Sequence, residues 1–260
     1  MSGKRYKKGN EKPKEKEKSR KIIVTIVLFI FIAIMIFSGI KIFNWLKENK
    51  HNRDIIEDIS NTVTIDENLD NKDKYNVDFE SLKQTNPDTI AWIKVNGTKI
   101  EYPIVKTTNN DYYLKHSFDK SYNSAGWVFM DYKNKLDGTN KNMVIYGHNR
   151  RDGTMFGTLK NILTEDWLGN EENFLIPFIT ESEKTEYQVF SVYRIEKEDY
   201  YITTGFKNNE EYKKFLDKIK SRSVKDFGVE VTSEDQIITL STCANNNKYR
   251  VVLHAKKVIE

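Results

Sequence analysis

Gln236-Ile237-Ile238-Thr239-Leu240-Ser241-Thr242-Cys243 is followed by a polar Ala244-Asn245-Asn246-Asn247 and then by Lys248-Tyr249-Arg250-Val251-Val252-Leu253-His254-Ala255-Lys256-Lys257. Two β-rich runs joined by a short polar link predict a hairpin. If the loop is those four residues, Cys243 faces Lys248, Thr242 faces Tyr249 and Ser241 faces Arg250. Opposed residues share a face, as do residues two apart, so Cys243, Ser241 and Arg250 should point the same way. Cys243 and Arg250 would then be diagonal neighbours about 7 to 8 Å apart. A one-residue slip would send Arg250 to the other face.

Cys243 is the only cysteine in the 260 residues. An unpaired cysteine is more often a small buried hydrophobe than a reagent. Here Ser and Thr precede it, Ala-Asn-Asn-Asn follows, and it ends a strand, which favours a reactive thiol. The bland account of Arg250 is a surface ion pair worth about 0 to 1 kcal/mol.

The compartment is read from the N-terminus. Lys4 to Lys21 holds ten Lys or Arg against three Glu, and Ile22 to Ile40 then runs for nineteen residues without a charge. At about 1.5 Å per residue that run covers nearly 30 Å, the thickness of a bilayer's hydrocarbon core. Basic residues bias their side toward the cytoplasm, so residues 1–21 should lie inside and the chain past Lys41 outside. A cleaved signal peptide would be shorter in its apolar part and would end in small residues, whereas Lys41-Ile42-Phe43-Asn44-Trp45 follows here. The tail, with Pro13 and no apolar residue between Tyr6 and Ile22, reads as disordered and suited to an anionic inner leaflet. That tail carries a surplus of seven positive charges against +4 for the whole chain, so the exterior part nets −3. No basic domain remains for nucleic acid.

Residues 41–78 read as a tether: a broken helical pattern, then a polar spacer from Ser60 to Asp78. Residues 79–260 are enough for one domain with its own core. Its β-rich runs are Ile90–Val95, Lys99–Val105, Gly126–Met130, Asn142–Tyr146, Lys184–Ile195, Gln236–Thr242 and Tyr249–Val258, punctuated by Asn96-Gly97, Asp137-Gly138 and Asp152-Gly153. Helical period is kept over Phe79–Thr85 and over Asn209–Arg222, where Tyr212, Phe215, Leu216 and Ile219 form one apolar stripe. Many short antiparallel strands with marginal helices predict a mainly β protein with a closed or nearly closed barrel.

A nucleophilic thiol needs a base, and four histidines compete. His51 lies in the tether. His116 reads as a loop residue and His254 as a residue inside the last strand. His148 ends the apolar strand Met143–Tyr146, follows Gly147 and opens a polar loop. Strand ends at a barrel rim present reachable side chains on fixed backbone, which favours His148 over His254 without excluding the latter.

Thr239-Leu240-Ser241-Thr242-Cys243, the downstream Arg250 and the upstream Tyr146-Gly147-His148-Asn149 together resemble a sortase, a membrane-anchored transpeptidase of Gram-positive bacteria. Class B is the nearer likeness through Asn86-Pro87-Asp88-Thr89-Ile90-Ala91-Trp92-Ile93, Ile100-Glu101-Tyr102-Pro103-Ile104-Val105, Asp111-Tyr112-Tyr113-Leu114, Gly126-Trp127-Val128-Phe129-Met130-Asp131 and Gly153-Thr154-Met155-Phe156. The helix at Asn209–Arg222 is similar to one that class B members insert between two late strands. The likeness covers Phe79 to Ile259.

The resemblance implies an eight-stranded barrel with peripheral helices behind one transmembrane helix. It implies a two-step acyl transfer with Cys243 as nucleophile, His148 as acid and base, and Arg250 holding substrate and oxyanion, with no cofactor and no metal. The implied partners are secreted proteins with a C-terminal sorting signal, of Asn-Pro-x-Thr type by the class B likeness, and a peptidoglycan precursor amine. Asn110, Leu114, Tyr201, Ile202 and Ser241 match positions lining the signal groove. The turn after Cys243 has no acidic residue, which puts a Cys-His-Asp triad in doubt; Asn149 and Asn245 are candidates for orienting the histidine. A membrane-tethered cysteine hydrolase and a non-catalytic wall-binding module are the rival readings.

Overall fold

The computed structural model describes residues 13–196, 198–243 and 248–259, the side chains of residues 13–16 and Cys243 excepted. The strands are β1 (Val63–Ile65), β2 (Tyr75–Val77), β3 (Thr89–Val95), β4 (Ile100–Val105), β5 (Phe129–Met130), β6 (Asn142–His148), β7 (Leu175–Ile179), β8 (Lys184–Glu196), β9 (Ile237–Cys243) and β10 (Tyr249–Lys257). The helices are α1 (Pro13–Ser60), α2 (Phe79–Thr85), α3 (Glu165–Leu168) and α4 (Asn209–Ser221). Strands β3 to β10 close into an eight-stranded barrel in the order β10-β8-β7-β3-β4-β5-β6-β9. Closure leaves no sheet edge exposed, as the many short strands required.

Two of its seams are parallel, β4 with β5 and β6 with β9, where the sequence predicted antiparallel pairing. Parallel neighbours need a long crossover. The chain between β6 and β9 supplies one that contains β7, β8 and α4. Strand β7 was not expected from sequence; it carries Pro177 and pairs with β3 and β8.

The C-terminal hairpin forms, but its register is two residues from the predicted one: Ser241 faces Val252 instead of Arg250, and Leu240 faces Leu253. The offset is even, so the predicted faces survive it. Continued two residues toward the loop, the register sets Arg250 across from Cys243 instead of diagonal to it. The loop itself, residues 244–247, lies outside the described residues.

Packing divides β9 by alternation. Ile238 and Leu240 join the main core, with Trp92, Ile93, Val144, Ile145 and Leu253. Ile237 joins a second cluster in which α4 contributes Tyr212, Phe215, Leu216 and Ile219, the stripe expected from sequence. Asn208 caps α4 by accepting from the Glu211 N–H. Strand β9 is thus covered on both faces, with the barrel interior behind it and the α4 side in front.

The chain divides into two units, Met1–Asn49 and Lys50–Glu260. In the first, large apolar side chains from Ile22 to Leu46 are exposed along α1, the one helix among the described residues long and apolar enough to cross a membrane. Residues 1–12 of the tail read as disordered lie outside the described residues; 13–21 are helical. In the second unit the stretch read as a spacer is partly built into the fold. Strands β1 and β2 pair, and Tyr75 is buried with its ring 5.0 Å from that of Trp92.

Candidate active site

Strands β6 and β9 run parallel and in register to their last residues, so Tyr146 pairs with Ser241 and His148 with Cys243. Ser241 in turn pairs with Val252 of β10. Cys243 therefore ends the middle strand of three, with His148 ending the neighbour on one side and Arg250 on the neighbour on the other. Strand neighbours lie about 4.8 Å apart, so the backbones bring these three residues together.

The His148 ring is nearly buried, 6% exposed, and its Nε2 lies 2.9 Å from the Leu114 carbonyl oxygen. A carbonyl only accepts, so Nε2 carries the proton and donates it. Leu114 closes a single 3₁₀ turn, Tyr112–Leu114, on the loop between β4 and β5. Of the two asparagines foreseen as orienting the ring, Asn245 lies outside the described residues, and the ring's partner among those described is the Leu114 carbonyl, not Asn149. No side-chain pattern could have announced a backbone acceptor from a distant loop. Burial holds His148 below the ordinary imidazole range, against the Leu114 hydrogen bond and with help from the Arg150 charge. Near neutral pH the ring is an uncharged base.

The other histidines are committed elsewhere. His254 is fully buried, with Nε2 2.8 Å from the Tyr193 hydroxyl and Nδ1 2.8 Å from Thr239 Oγ1. His116 stacks on the Tyr112 ring at 3.9 Å and places Nδ1 2.7 Å from that residue's carbonyl. His51 lies 2.8 Å from Asp119 and 3.1 Å from Ser121.

Arg250 is half-buried, and its Nη1 is buried without a hydrogen-bond partner among the described residues. It pairs with no carboxylate among them either, which removes the surface ion pair as its reason for being there. A buried guanidinium N–H left unbonded costs on the order of 1 to 3 kcal/mol, which an acceptor from outside would recover.

The groove candidates fall into two groups. Tyr201 and Ser241 are both buried and share a 3.0 Å hydrogen bond, with Ile202 beside them partly buried. Asn110 sits on the far side with Leu114: its Nδ2 donates to Asp131 at 2.9 Å and its Oδ1 accepts from the Tyr132 N–H at 3.0 Å. Tyr146, two residues before His148, donates to the same Asp131 oxygen at 3.0 Å. Asp131 was missed from sequence, although it closes the Gly126–Asp131 stretch. Two grooves lie at the other end of these strands, around Gly138, Glu183, Gln236 and Lys257, and none of the candidates lines them. Among the described residues no group of three His, Cys, Asp or Glu is disposed to hold a metal.

The sortase domain family matches residues 93–258. Sortase B of Listeria monocytogenes is 38% identical over 229 residues, 86% of this chain and 92% of that one, and sortase B of Staphylococcus aureus 36% over 241 residues, 91% and 97%. Sortase B from Bacillus anthracis, solved with AAEK1, superposes with a TM-score of 0.70 at 34% identity, over 83% of this chain and all of that one. A Staphylococcus aureus sortase B–substrate complex superposes at 0.65 and 33% identity, over 83% of this chain and 94% of that one. With a closed eight-stranded barrel and this match along most of its length, the chain belongs to the sortases, as a class B member and a cysteine transpeptidase.

Proposed function

We propose that this enzyme anchors secreted proteins to the cell wall by acyl transfer through Cys243. His148 takes the Cys243 thiol proton as the sulfur attacks the carbonyl of the Thr in a five-residue C-terminal sorting signal, of Asn-Pro-x-Thr type. The C–N bond breaks, His148 gives its proton to the departing amine, and a thioester remains. An amine of a cell-wall precursor then attacks the thioester, His148 takes its proton, and the thiolate leaves. Arg250 binds the peptide and the oxyanion through the fixed fork of its guanidinium donors.

The observation that carries this reading is the register of three strand ends: His148 beside Cys243 on β6 and β9, and Arg250 on β10 with a buried donor that is unmet among the described residues. Tyr201, Ser241 and Ile202 would line one wall of the signal groove, and Asn110 and Leu114 the other. Two relatives lend chemistry to the two half-reactions. One sortase B was solved with Gly3, which carries a free amine, and another with substrate.

Residues 22–40 would span the membrane of a Gram-positive cell, with 1–21 inside, 41–78 as a tether and 79–260 as the exterior catalytic domain. The exposed apolar length of α1 supports that assignment. The test uses the full chain in detergent with an Asn-Pro-x-Thr peptide and triglycine. Amide product, with a peptide thioester trapped on Cys243 in mass spectra, is expected. Acid alone would mean a hydrolase. No acylation, with Cys243 resistant to thiol reagents, would mean a wall-binding module.

A further inference from the structure

Gly126 stands where a side chain would strike the His148 ring. It is buried and adopts φ +60°, and a Cβ built on it would lie 2.5 Å from the Tyr113 carbonyl oxygen, 2.8 Å from His148 Cδ2 and 3.0 Å from the Leu114 carbonyl oxygen. Cδ2 is the ring carbon bonded to Nε2. The missing side chain is therefore what lets the imidazole edge and its acceptor meet. The Gly126 loop is itself tied to that acceptor's turn, since the Trp127 N–H donates to the Tyr113 carbonyl at 2.9 Å.

The backbone of His148 is pinned as well. Its carbonyl accepts from the N–H groups of Arg150 and Phe156, both at 3.0 Å. The Phe156 ring lies against Gly147, where a Cβ would come within 2.6 Å of it. Strand end, ring edge and acceptor are thus fixed by three separate contacts.

We infer that Leu114 and Gly126 act as positioning residues that lock the His148 tautomer with its proton on Nε2, leaving Nδ1 as the nitrogen that exchanges protons in catalysis. This rests on His148 being the base. The exchange balances without a further group. Nδ1 takes the thiol proton as sulfur bonds to carbon and passes it to the departing amine. In the second half it takes a proton from the incoming amine and returns it to the thiolate. Throughout, Nε2 keeps its hydrogen on the Leu114 carbonyl. That carbonyl also stabilises the charged ring, since the Nε2–H bond strengthens when the imidazolium forms.

The test reads the tautomer directly. In full-length protein with ¹⁵N-labelled imidazoles, above the pH at which His148 protonates, His148 is expected to show a protonated Nε2 and an unprotonated Nδ1. A protonated Nδ1 would overturn the inference with no variant made. Gly126→Ala is expected to mix the two tautomers and to lower kcat by about 10²-fold, the scale of a misplacement near 1 Å, with a smaller change in KM.

Gly228→Ala is the control for backbone strain. Its φ is +67°, nothing lies within 4 Å of its Cβ position, and it is exposed. It should keep both the wild-type tautomer and the wild-type turnover. Turnover in Gly126→Ala equal to that of Gly228→Ala would sink the positioning claim. Full turnover in His148→Ala would instead sink the base assignment, while the spectrum of the resting protein would still report the lock.

Discussion

His148 and His254 stand on strands that flank the same neighbour, β9, yet the fold treats them in opposite ways. His254 pairs with Thr239 in mid-strand, inside the wall, while His148 pairs with Cys243 at the strand end. Thr239 donates its one hydroxyl proton to Asn142 Oδ1 at 2.7 Å, so toward His254 it can only accept. His254 must then carry its proton on Nδ1, and its Nε2 accepts from the Tyr193 hydroxyl. Both nitrogens are used, and burial pushes the ring down to about 3. His148 has one nitrogen tied to a backbone carbonyl, which has no proton to trade, and among the described residues the other nitrogen has no partner. An imidazole with two side-chain partners is a strut; one with a single, non-titrating partner is available as a base.

The sharpest way to break this contrast is to remove each ring in turn. His148→Ala should lower amide formation by about 10²- to 10⁴-fold, the usual worth of general acid–base catalysis, and leave the melting temperature nearly unchanged. His254→Ala should do the reverse. It strands the Tyr193 hydroxyl in a dry interior, at about 1 to 3 kcal/mol, while Thr239 keeps its bond to Asn142, and it should melt below wild type while its folded fraction still turns over. Paired thermal melts and peptide-transfer assays decide the matter. A folded His254 variant without activity, beside an active His148 variant, would exchange the two roles.

The second effect appears in acid. The depressed pKa of His254 means the unfolded chain binds a proton below about 6.5 that the native protein refuses until about 3. The stability tied to its neutral ring is thus complete above about pH 6.5 and is lost as pH falls toward 3, at about 1.4 kcal/mol per pH unit. Urea unfolding at several pH values should show that slope in wild type and a flatter one in His254→Gln, which cannot titrate. Equal slopes in the two proteins would mean that His254 is not the group resisting protonation.

How far this difference could be read in the sequence depends on which contacts are local. Cys243 and His148 stand out because the one ends an alternating run and the other an apolar run, each before a polar loop, and each does end its strand. The α4 stripe is legible for the same reason, since four apolar side chains at helical spacing need a cover. Strand β7 is not, because Pro177 interrupts a five-residue run that only its partners make a strand. The β6–β9 seam is invisible too, being closed across more than eighty residues of intervening chain. The Leu114 carbonyl has no sequence signature at all. The hairpin register lies between these cases: its parity followed from alternation, while its offset depended on a loop length that composition does not fix.

The smallest effect probes what tunes the available ring. Arg150, two residues past His148, binds Asp152 through Nε and Nη2, the latter at 2.7 Å, and Thr154 Oγ1 through Nε at 3.0 Å. Burial opposes ionisation of Asp152, yet the hydrogen bonds from Arg150 and Thr154 bring it down to about 2, so the carboxylate stays ionised through the working range. The guanidinium charge opposes protonation of His148. Arg150→Gln removes that charge and keeps Asp152 negative, so His148 should accept a proton more readily. The acid limb of kcat/KM, where protonated His148 can no longer take the thiol proton, should therefore move toward higher pH, while the plateau changes little. Salt should shrink the difference between variant and wild type, because part of the charge faces solvent and is screened within about 8 to 10 Å. His254, already sealed and doubly bonded, should not respond, so the acid unfolding slope should be the same in Arg150→Gln as in wild type. An acid limb that moves the other way would show that Arg150 acts on His148 by holding the loop in place, with its charge a minor influence.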